Sequence, residues 1–439
     1  MTVIPPFRSG SRMVLSLGLF LAPAVGLCPQ TSSQAGAAVR ISRDPLIFDL
    51  LRSRPRAFQR ILNSVNRYEV QILYIQIDRN RDNMPFFTQY AYRLNSRKYF
   101  NPASLIKLPV VCLAFQKLNA LNIPGLDKNT RLSIRQDEGC PTGIDRDETA
   151  LEGYPSIAHL AKKMLIVSDN DAYSQLYEFL GWDQIHQGLF LLGYRNARIT
   201  RRFCPCGYEK NRITNPTTFF DRKGSVLYHQ STQYSVIDYK NPLTDVFKGK
   251  NHLDDSYRLK EGPYDYSTAN HLGLQDMTDL LRSVLFPQSV PAERRFFLTG
   301  DDYRFLLKML SILPRESDYP KYRNPRLFPD NMKKYFLYGD WPPDRKIEGT
   351  GVRLFNMVGF SDGYISDCAY IVDFEKNIEF FLSAVIYVNA NGVVRDGTYE
   401  YNTVGLPFLA ELGRTVYDYE TGRSRRFLPD LSVFQISYP

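Results

Sequence analysis

The chain has 439 residues with a formal net charge of +9, and 44% of its residues are hydrophobic while 23% are charged. This composition argues against a disordered chain and allows one large domain or two smaller ones. The basic residues are interleaved with acidic ones and form no long run or known binding motif, so a nucleic-acid partner is not predicted.

Residues 1–38 differ from the rest of the chain. Arg8 and Arg12 precede the apolar run "MVLSLGLFLAPAVGL", and small residues follow in "SSQAGAA". This order is typical of a signal peptide, and the apolar run is short for a membrane span. We therefore predict an exported protein, periplasmic or extracellular. The segment "VGLC" resembles a lipoprotein signal, with Leu27 where a small residue is expected, so a lipid anchor on Cys28 stays open as the only predicted membrane attachment.

The first strands are predicted near the start of the mature chain and the last ones near its end. "YEVQILYIQID" and "FFTQYAYRL" are rich in β-branched and aromatic residues and flank the polar "RNRDN". "YISDCAYIVDF" and "IEFFLSAVIYV" flank the turn "EKN". The alternation of Cys368, Tyr370 and Val372 with Asp367 and Asp373 predicts that one face of its strand is more apolar than the other.

Helical patterns dominate the middle of the chain. Strands at both ends and helices between them predict an α/β (α+β) fold, in which helices flank an antiparallel sheet and a helical subdomain is inserted. We predict one domain over residues 39–418, with the sheet at about 55–102 and 350–418 and the helical part at about 103–349. Residues 221–270 have little periodicity and predict a long loop or insertion, and residues 419–439 a tail.

The stretch "NPASLIKLPVV" places Ser104 and Lys107 three residues apart at the predicted start of a helix. Residues at this spacing share one helix face, so the two side chains can touch, and a lysine with an accessible neutral form can take the proton of a serine nucleophile. The free N–H of Ser104 at a helix start can stabilise an oxyanion. Taken alone the motif is weak, because Ser-x-x-Lys occurs often by chance.

A second motif follows in "VSDNDAYSQLYEFLG", where Ser168, Asp169 and Asn170 separate two predicted helices. A serine-aspartate-asparagine element accompanies Ser-x-x-Lys in penicillin-recognising enzymes. The plainer interpretation is that Ser168 or Asp169 only caps the helix beginning near Ala172. The two roles are compatible, since a cap fixes the loop that presents the other side chains.

With both motifs present, the chain resembles the class A β-lactamase and penicillin-binding-protein superfamily, and more closely its secreted bacterial β-lactamase-like serine hydrolases. The resemblance covers roughly residues 60–418 and implies a five-stranded sheet with flanking helices and a helical subdomain. It implies that Ser104 is the acylated nucleophile and that Lys107 activates it. Ser168 would relay a proton to the leaving nitrogen, Asn170 would hold the substrate amide, and Asp169 would brace the loop.

The third motif of this superfamily is lysine, then threonine or serine, then glycine, on the strand beside the site. Here the matching stretch "LFNMVGFSDGY" gives Met357, Val358 and Gly359, which we assign to substrate binding. The N–H of Phe360 would be the second oxyanion donor. The missing lysine and hydroxyl put recognition of a substrate carboxylate in doubt. An alternative third motif, "KIEGTG", is better interpreted as the turn into this strand.

A class A β-lactamase also has a glutamate that activates the deacylating water. The nearest candidate is Glu209 in "GYEKNRITNP", but no matching local motif surrounds it, and the plainer interpretation is a surface carboxylate beside Lys210 and Arg212. Rapid turnover of β-lactams is therefore poorly supported by the sequence.

The remaining cysteines and histidines point to no metal site. "CPC", residues 204–206, lacks the further ligands that a structural zinc needs, which leaves a disulfide to Cys140 or two free thiols. The five histidines have no metal-ligand spacing, and no cofactor is implied. We predict a serine hydrolase that acts through an acyl-enzyme on an amide, ester or β-lactam, with a small-molecule or peptidoglycan-derived peptide substrate. The alternative is a catalytically impaired relative that binds cell-wall peptide or a protein partner in the same cleft.

Overall fold

The computed structural model describes residues 39–150, 152–349 and 351–438 as strands and helices around one large sheet. The strands are β1 (Val39–Ile41), β2 (Gln71–Arg79), β3 (Pro85–Tyr92), β4 (Arg131–Ile134), β5 (Thr217–Phe220), β6 (Val226–Gln230), β7 (Phe247–Lys248), β8 (Asn251–Leu253), β9 (Leu259–Glu261), β10 (Tyr264–Asp265), β11 (Val352–Ser361), β12 (Tyr364–Asp373), β13 (Ile378–Tyr387) and β14 (Val393–Val394). The helices are α1 (Leu46–Ser53), α2 (Pro55–Leu62), α3 (Lys107–Leu121), α4 (Ile157–Val167), α5 (Asn170–Leu180), α6 (Trp182–Leu191), α7 (Leu274–Leu285), α8 (Gly300–Ser311), α9 (Tyr335–Tyr338) and α10 (Leu406–Gly422). The predicted leader, residues 1–38 with Cys28, lies outside the described residues.

The large sheet has the strand order β1-β3-β2-β13-β12-β11. Its five long strands are antiparallel and come from both ends of the chain, so the predicted α+β architecture is confirmed. The sheet gains a sixth strand because β1 pairs in parallel with β3 at the edge. A strand of only three residues is too short to show a hydrophobic period, and nothing in its residues signals it.

Both faces of the sheet are covered. Every residue of β12 is buried, including Asp367 and Asp373, so the less apolar face of this strand is covered as well. One face packs on the helical core around α3, α4, α5 and α7, and the other packs on α1, α2 and α10. A sheet between two helical layers has no solvent face, and its polar residues must then find partners inside the protein.

The segment 221–270 is more ordered than a loop. It contributes β6 to a three-stranded sheet with β4 and β5, and it contributes β8 and β9 to a second small sheet with β14. A separate apolar cluster joins it to the body of the protein through Tyr99, Val246, Tyr266 and Val394. Its strands are two to five residues long, too short for periodicity to reveal them.

The C-terminal residues pack on the body of the protein. The predicted boundary at residue 418 falls inside α10, which continues to Gly422. Beyond that helix Phe434 is buried, and its ring lies 4.8 Å from the ring of Tyr370 on β12. The last residues therefore belong to the hydrophobic core rather than to a free tail.

One disulfide, Cys140–Cys206, links the segment after β4 to the segment after α6, across 66 residues of sequence. Of the alternatives open for the "CPC" segment, the disulfide to Cys140 is present, and Cys204 keeps a free thiol. The second motif lies between these two cysteines in the sequence.

The stretch Ala103–Leu121 is the one described helix with the length and hydropathy of a membrane span, and 67% of it is buried inside the protein. It is the central helix of the core, with α4, α5 and α6 packed around it.

Candidate active site

Ser104 lies in a tight turn that leads into α3. The turn is a 3-10 helix, Ala103–Ile106, and α3 begins at Lys107. Ala103 has a φ of 44°, a left-handed backbone that a non-glycine residue rarely adopts. The Asn101 side chain accepts a hydrogen bond from the Ala103 N–H at 3.0 Å, which holds this conformation. Backbone strain of this kind is found at functional turns, and here it presents Ser104 at the surface of a cleft.

Pro109 is the third residue of α3, so its missing N–H lies where a helix has no internal acceptor. The proline thus fits a helix that begins at Lys107. Since Ser104 precedes this start, the sequence places its hydroxyl on a turn and the Lys107 amine on the first turn of the helix.

Lys107 is buried and its amine contacts only neutral groups. Nζ lies 3.0 Å from Ser168 Oγ and 2.7 Å from Asn170 Oδ1, and it also donates to the Ser168 carbonyl. Burial lowers the pKa of Lys107 to about 7, the nearby charge of Lys333 adds to this shift, and Asp169 opposes it. At neutral pH, Lys107 is therefore an uncharged amine in a large fraction of the molecules.

Ser168 connects the lysine to the nucleophile. It follows the last residue of α4 with a φ of 58°, again in the left-handed region. Its Oγ donates to Ser104 Oγ at 2.8 Å while it accepts from the amine of Lys107. Ser104, Ser168 and Lys107 thus form one continuous hydrogen-bonded chain, along which a proton can pass in either direction.

Asp169 caps the next helix. Its carboxylate accepts from the Ala172 N–H at 2.8 Å and lies 3.5 Å from Nζ of Lys163. The helix, α5, begins at Asn170, which brings that amide to Lys107. The bracing role predicted for Asp169 agrees with these contacts.

Of the three residues assigned to the third motif, Gly359 lies directly against the segment that leads into the nucleophile turn. A Cβ on Gly359 would stand 2.4 Å from the carbonyl oxygen of Pro102, so β11 can approach the turn this closely only with glycine here. The next residue, Phe360, has 59% of its surface exposed and lines the cleft. Phe360 thus lies in the same cleft as Ser104, and the role of its N–H as an oxyanion donor stays a prediction.

Met357 and Val358 do not line the cleft, contrary to the expectation that they bind substrate. Met357 is 0% exposed, and its sulfur lies 3.9 Å from Nζ of Lys333. Val358 points to the opposite face of the sheet and packs with the α10 side of the core. Successive residues of a strand point to opposite faces, and in this sheet both faces are buried, so neither side chain reaches solvent.

The cleft itself is a cavity of about 300 Å³. Ser104 and Asn170 line it together with Phe360. Much of the remaining wall comes from residues that no sequence motif singled out: Arg201, Arg202, Phe203, Asp255, Tyr264, Tyr266, Asp362 and Arg395. The insertion, the segment after α6 and the loop after β14 therefore complete the site.

Asp362 ties these parts together. Its carboxylate accepts hydrogen bonds from Asn101 Nδ2 at 3.2 Å and from the Tyr266 hydroxyl at 2.9 Å. The pKa of Asp362 is raised, chiefly by burial. Asp362 and Gly363 form an Asp-Gly pair, which predicts the turn between β11 and β12 from the sequence. The contact of Asp362 with the insertion cannot be predicted in this way.

Glu209 is not part of the cavity. It lies in a 3-10 turn, Glu209–Arg212, its side chain is 76% exposed, and it pairs with Arg212 at 3.4 Å. The structure thus places the candidate deacylation base on the surface, in agreement with the second interpretation of this residue. A buried carboxylate behind this wall, Glu178, accepts from Arg202 at 2.8 Å and from the Asn215 N–H at 2.7 Å.

The described residues of the "KIEGTG" segment, 346–349 and 351, lie directly before β11. Gly349 and Gly351 have φ values of 67° and 62°, and the strand begins at Val352. Positive φ at these glycines is typical of a turn, and neither Lys346 nor these two glycines line the cavity.

Comparison with known proteins gave matches of two kinds, to solved structures and to a family profile. Several solved structures resemble the chain at low identity. They include the extended-spectrum β-lactamase TLA-1 (14% identity, 84% of this chain and 98% of that one, TM-score 0.45), a β-lactamase from Sphaerobacter thermophilus DSM 20745 (14%, 88% and 100%, 0.44) and PBP-A (14%, 88% and 98%, 0.46). Comparison with curated protein sequences found no match.

The sequence profile of the beta-lactamase enzyme family matches residues 55–285, more than half of the chain. The matched range contains Ser104, Lys107, Ser168 and Asn170, and it ends before β11, where the third motif departs from the pattern. On this match, the chain belongs to the beta-lactamase enzyme family.

Proposed function

We propose that the protein is an exported serine hydrolase that acylates Ser104 with an amide, ester or β-lactam. The observation that carries the proposal is the hydrogen-bonded chain from Ser104 through Ser168 to an amine whose pKa burial lowers to about 7. A serine needs a base that is neutral at the working pH, and Lys107 meets this requirement.

In the first step Ser104 Oγ attacks the carbonyl carbon. The hydroxyl proton passes to Lys107, with Ser168 as the bridge, and the carbonyl oxygen takes the negative charge. The backbone N–H groups of Ser104 and Phe360 are the proposed donors to that oxyanion. When the tetrahedral intermediate collapses, the bond to the leaving nitrogen or oxygen breaks, and Ser168 delivers the proton from Lys107 to it. Asn170, whose Oδ1 accepts a hydrogen bond from Lys107, is proposed to bind the substrate amide.

Hydrolysis of the acyl-enzyme is proposed to be the slower half of the reaction. The carboxylates on the described cavity wall are Asp255 and Asp362. Asp255 is exposed and paired with Arg395 at 2.9 Å, while Asp362 accepts from Asn101 and Tyr266. With Glu209 on the surface, neither wall carboxylate is an evident free base for a water, and an acyl-enzyme should accumulate.

The buried Met357 favours a second candidate function, in which an impaired relative uses the cavity to bind cell-wall peptide or a protein partner. The third-motif lysine and hydroxyl are absent from the matching stretch, and the surface position of Glu209 removes a further element of turnover. In this version no adduct forms on Ser104 and the cavity only binds. We propose neither a nucleic-acid partner nor a cofactor.

Export is proposed from the leader pattern of residues 1–38, with a lipid anchor on Cys28 as an alternative to cleavage near Ala38. The disulfide Cys140–Cys206 supports export, because disulfides persist in oxidising compartments. The N-terminal sequence of exported material separates cleavage from a lipid-modified Cys28, and an intact Met1 on it would contradict both.

Intact-mass measurement of the mature protein tests the proposed chemistry. The protein is incubated with a penicillin, a cephalosporin and an activated ester, and an adduct is expected in the wild type and absent in Ser104→Ala. Ser225→Ala, a change of an exposed serine in the turn before β6, is the matched control and should label like the wild type. Labelling of Ser104→Ala at the wild-type rate rules out Ser104 as the nucleophile. Absence of both adduct and turnover in the wild type favours the binding-only candidate.

A further inference from the structure

Lys333 is a second buried amine close to the candidate active site, and no motif includes it. It ends a 3-10 turn, Asp330–Lys333, that lies between α4 and β11. Its side chain is buried, its amine donates to the Leu165 carbonyl, and it lies 3.9 Å from the sulfur of Met357. Among the described residues no carboxylate forms an ion pair with it.

The contact with Leu165 places the amine at the end of α4. This helix ends at Val167, so the Leu165 carbonyl is one of those that an α-helix leaves without an internal partner. A lysine that caps such a carbonyl also interacts favourably with the negative end of the helix dipole. Lys107 makes the equivalent contact three residues later, where it donates to the Ser168 carbonyl. Two amines thus hold the same helix end from which Ser168 projects.

The position against Met357 gives the second observation. The superfamily pattern places a lysine where Met357 stands, and here that side chain is neutral and buried. The Lys333 amine contacts its sulfur from the neighbouring turn. An amine that the strand lacks is therefore supplied to the same region from another segment of the chain.

We propose that Lys333 is a positioning residue for the base of the reaction: it fixes the end of α4 against Lys107, and its charge keeps the Lys107 amine neutral at the working pH. The inference rests on the proposed function of Ser104 and Lys107. Two like charges in a water-poor interior repel strongly, so protonation of one amine disfavours protonation of the other. When the pair holds one proton and that proton is on Lys333, Lys107, the amine hydrogen-bonded to Ser168, is free to accept the proton of Ser104.

The charged groups around the pair are few. Asp367 on β12 attracts Lys333, and Lys334 lies beside it in sequence. Asp169 attracts Lys107, but it is itself paired with Lys163. Burial lowers the pKa of Lys333 to about 7, so the two amines titrate over the same range and must be treated as a coupled pair.

Lys334 provides a matched control. It is adjacent in sequence and equally buried, but its amine points elsewhere and donates to the carbonyls of Leu310 and Leu354 and to Asn356 Oδ1. Lys334→Met therefore removes a second buried lysine and leaves the contact of Lys333 with α4 in place.

The test is an NMR titration of the Lys107 side chain in protein labelled at lysine, with the signal assigned by its loss in Lys107→Ala. Lys333→Met removes the charge and the hydrogen bond, Lys333→Gln removes the charge and keeps a donor, and Lys333→Arg keeps the charge. We expect the Lys107 midpoint to rise by on the order of one pH unit in the Met and Gln variants. It should stay within a few tenths of a unit of the wild type in Lys333→Arg and Lys334→Met.

An unchanged Lys107 midpoint in both uncharged variants, or the same rise in Lys334→Met, overturns the proposal. If neither uncharged variant folds, the wild-type titration decides: each lysine signal must report the titration of the other, and two independent single-step curves contradict the inference. A wild type that forms no adduct on Ser104 refutes the proposed function, whereas this titration uses no substrate and still decides the coupling of the two amines.

Discussion

The two sides of the cleft differ in how their chemistry is encoded. On the helical side, Ser104, Lys107, Ser168 and Asn170 stand in two short motifs, and the fold brings all four into one hydrogen-bonded group. On the strand side, the motif is degenerate, and its buried Met357 contacts a lysine from a different segment. Both sets of contacts join segments that are far apart in sequence. The difference teaches that such contacts can be anticipated where both segments carry a known motif, whereas the contact of Lys333 with Met357 has no motif to signal it.

Replacement of Lys107 tests the helical side and should have the largest effect. Lys107→Ala removes the proton acceptor but leaves the proposed oxyanion donors, so acylation should slow by about 10²- to 10⁴-fold. Stopped-flow or quenched-flow mass measurement of adduct formation gives the rate. Lys117→Ala is the control, because burial also lowers the pKa of Lys117 to about 7 on the same helix, yet its amine binds Gln230 and the Phe179 carbonyl. Equal losses in both variants would point to general damage to α3.

Met357→Lys tests the strand side through stability. The new amine would enter the interior beside Lys333, and an uncompensated buried charge costs about 3 kcal/mol or more. Since the new amine is more easily protonated in the unfolded chain, the loss of stability should grow as the pH falls from about 10 and level off below the lowered pKa of the buried amine. Met357→Leu is the control and should cost less than about 1.5 kcal/mol. Denaturant unfolding at several pH values measures the difference.

The same variant decides between two interpretations of the third motif. If the lysine contacts substrate, kcat/KM for carboxylate-bearing β-lactams should rise relative to neutral esters of similar size. Because Met357 is 0% exposed, we expect this ratio to stay unchanged. A clear rise would show that the strand opens enough for residue 357 to reach the cavity.

Gly359→Ala probes the place where the two sides meet. Its Cβ would stand 2.4 Å from the Pro102 carbonyl oxygen, so β11 and the nucleophile turn must move apart. A displacement approaching about 1 Å at the reacting atoms costs up to about a hundredfold in rate, and we expect a roughly ten- to hundredfold loss of acylation. Gly422→Ala at the end of α10, where an added Cβ meets nothing within 4 Å, should leave the rate unchanged. Wild-type kinetics in Gly359→Ala would show that the turn tolerates the shift.

Asp362→Asn should have the smallest effect. The amide oxygen of asparagine can still accept from Asn101 and Tyr266, so the connection between the turn and the insertion is kept. We expect acylation and deacylation to change by less than about tenfold, on the magnitude of one neutral hydrogen bond. Loss of deacylation alone in this variant would identify Asp362 as the base for the second step.

Much of the fold follows from local signals. Several elements were predictable, because each is long enough to show its period or its turn residues: the hairpins β2–β3 and β12–β13 and the helices α3, α4 and α5. The three-residue β1 and the short strands of the insertion carry no such signal. They exist because neighbouring strands or aromatic side chains such as Tyr99 and Tyr266 are already in place.

The candidate site was predictable in the same uneven way. Ser104 and Ser168 are readable from motifs, but the burial of Lys333 is not, since "DNMKKYF" has the composition of an ordinary polar turn. Its amine becomes buried only when α4 and β11 close over it. Likewise, the sequence places Met357 on a strand next to the site but does not reveal that the strand is covered on both faces.

The dependence of the acylation rate on pH tests the central claim, that neutral Lys107 takes the proton of Ser104. The neutral form is the active one, so the rate with an uncharged ester should rise with pH, reach half its maximum near the pKa of about 7 and then level off. The same rise should be lost in Lys107→Ala and kept in Lys117→Ala. The claim would be contradicted by a wild-type acylation rate that does not change between about pH 5 and pH 9, or by a rise of the rate at the same pH in Lys107→Ala.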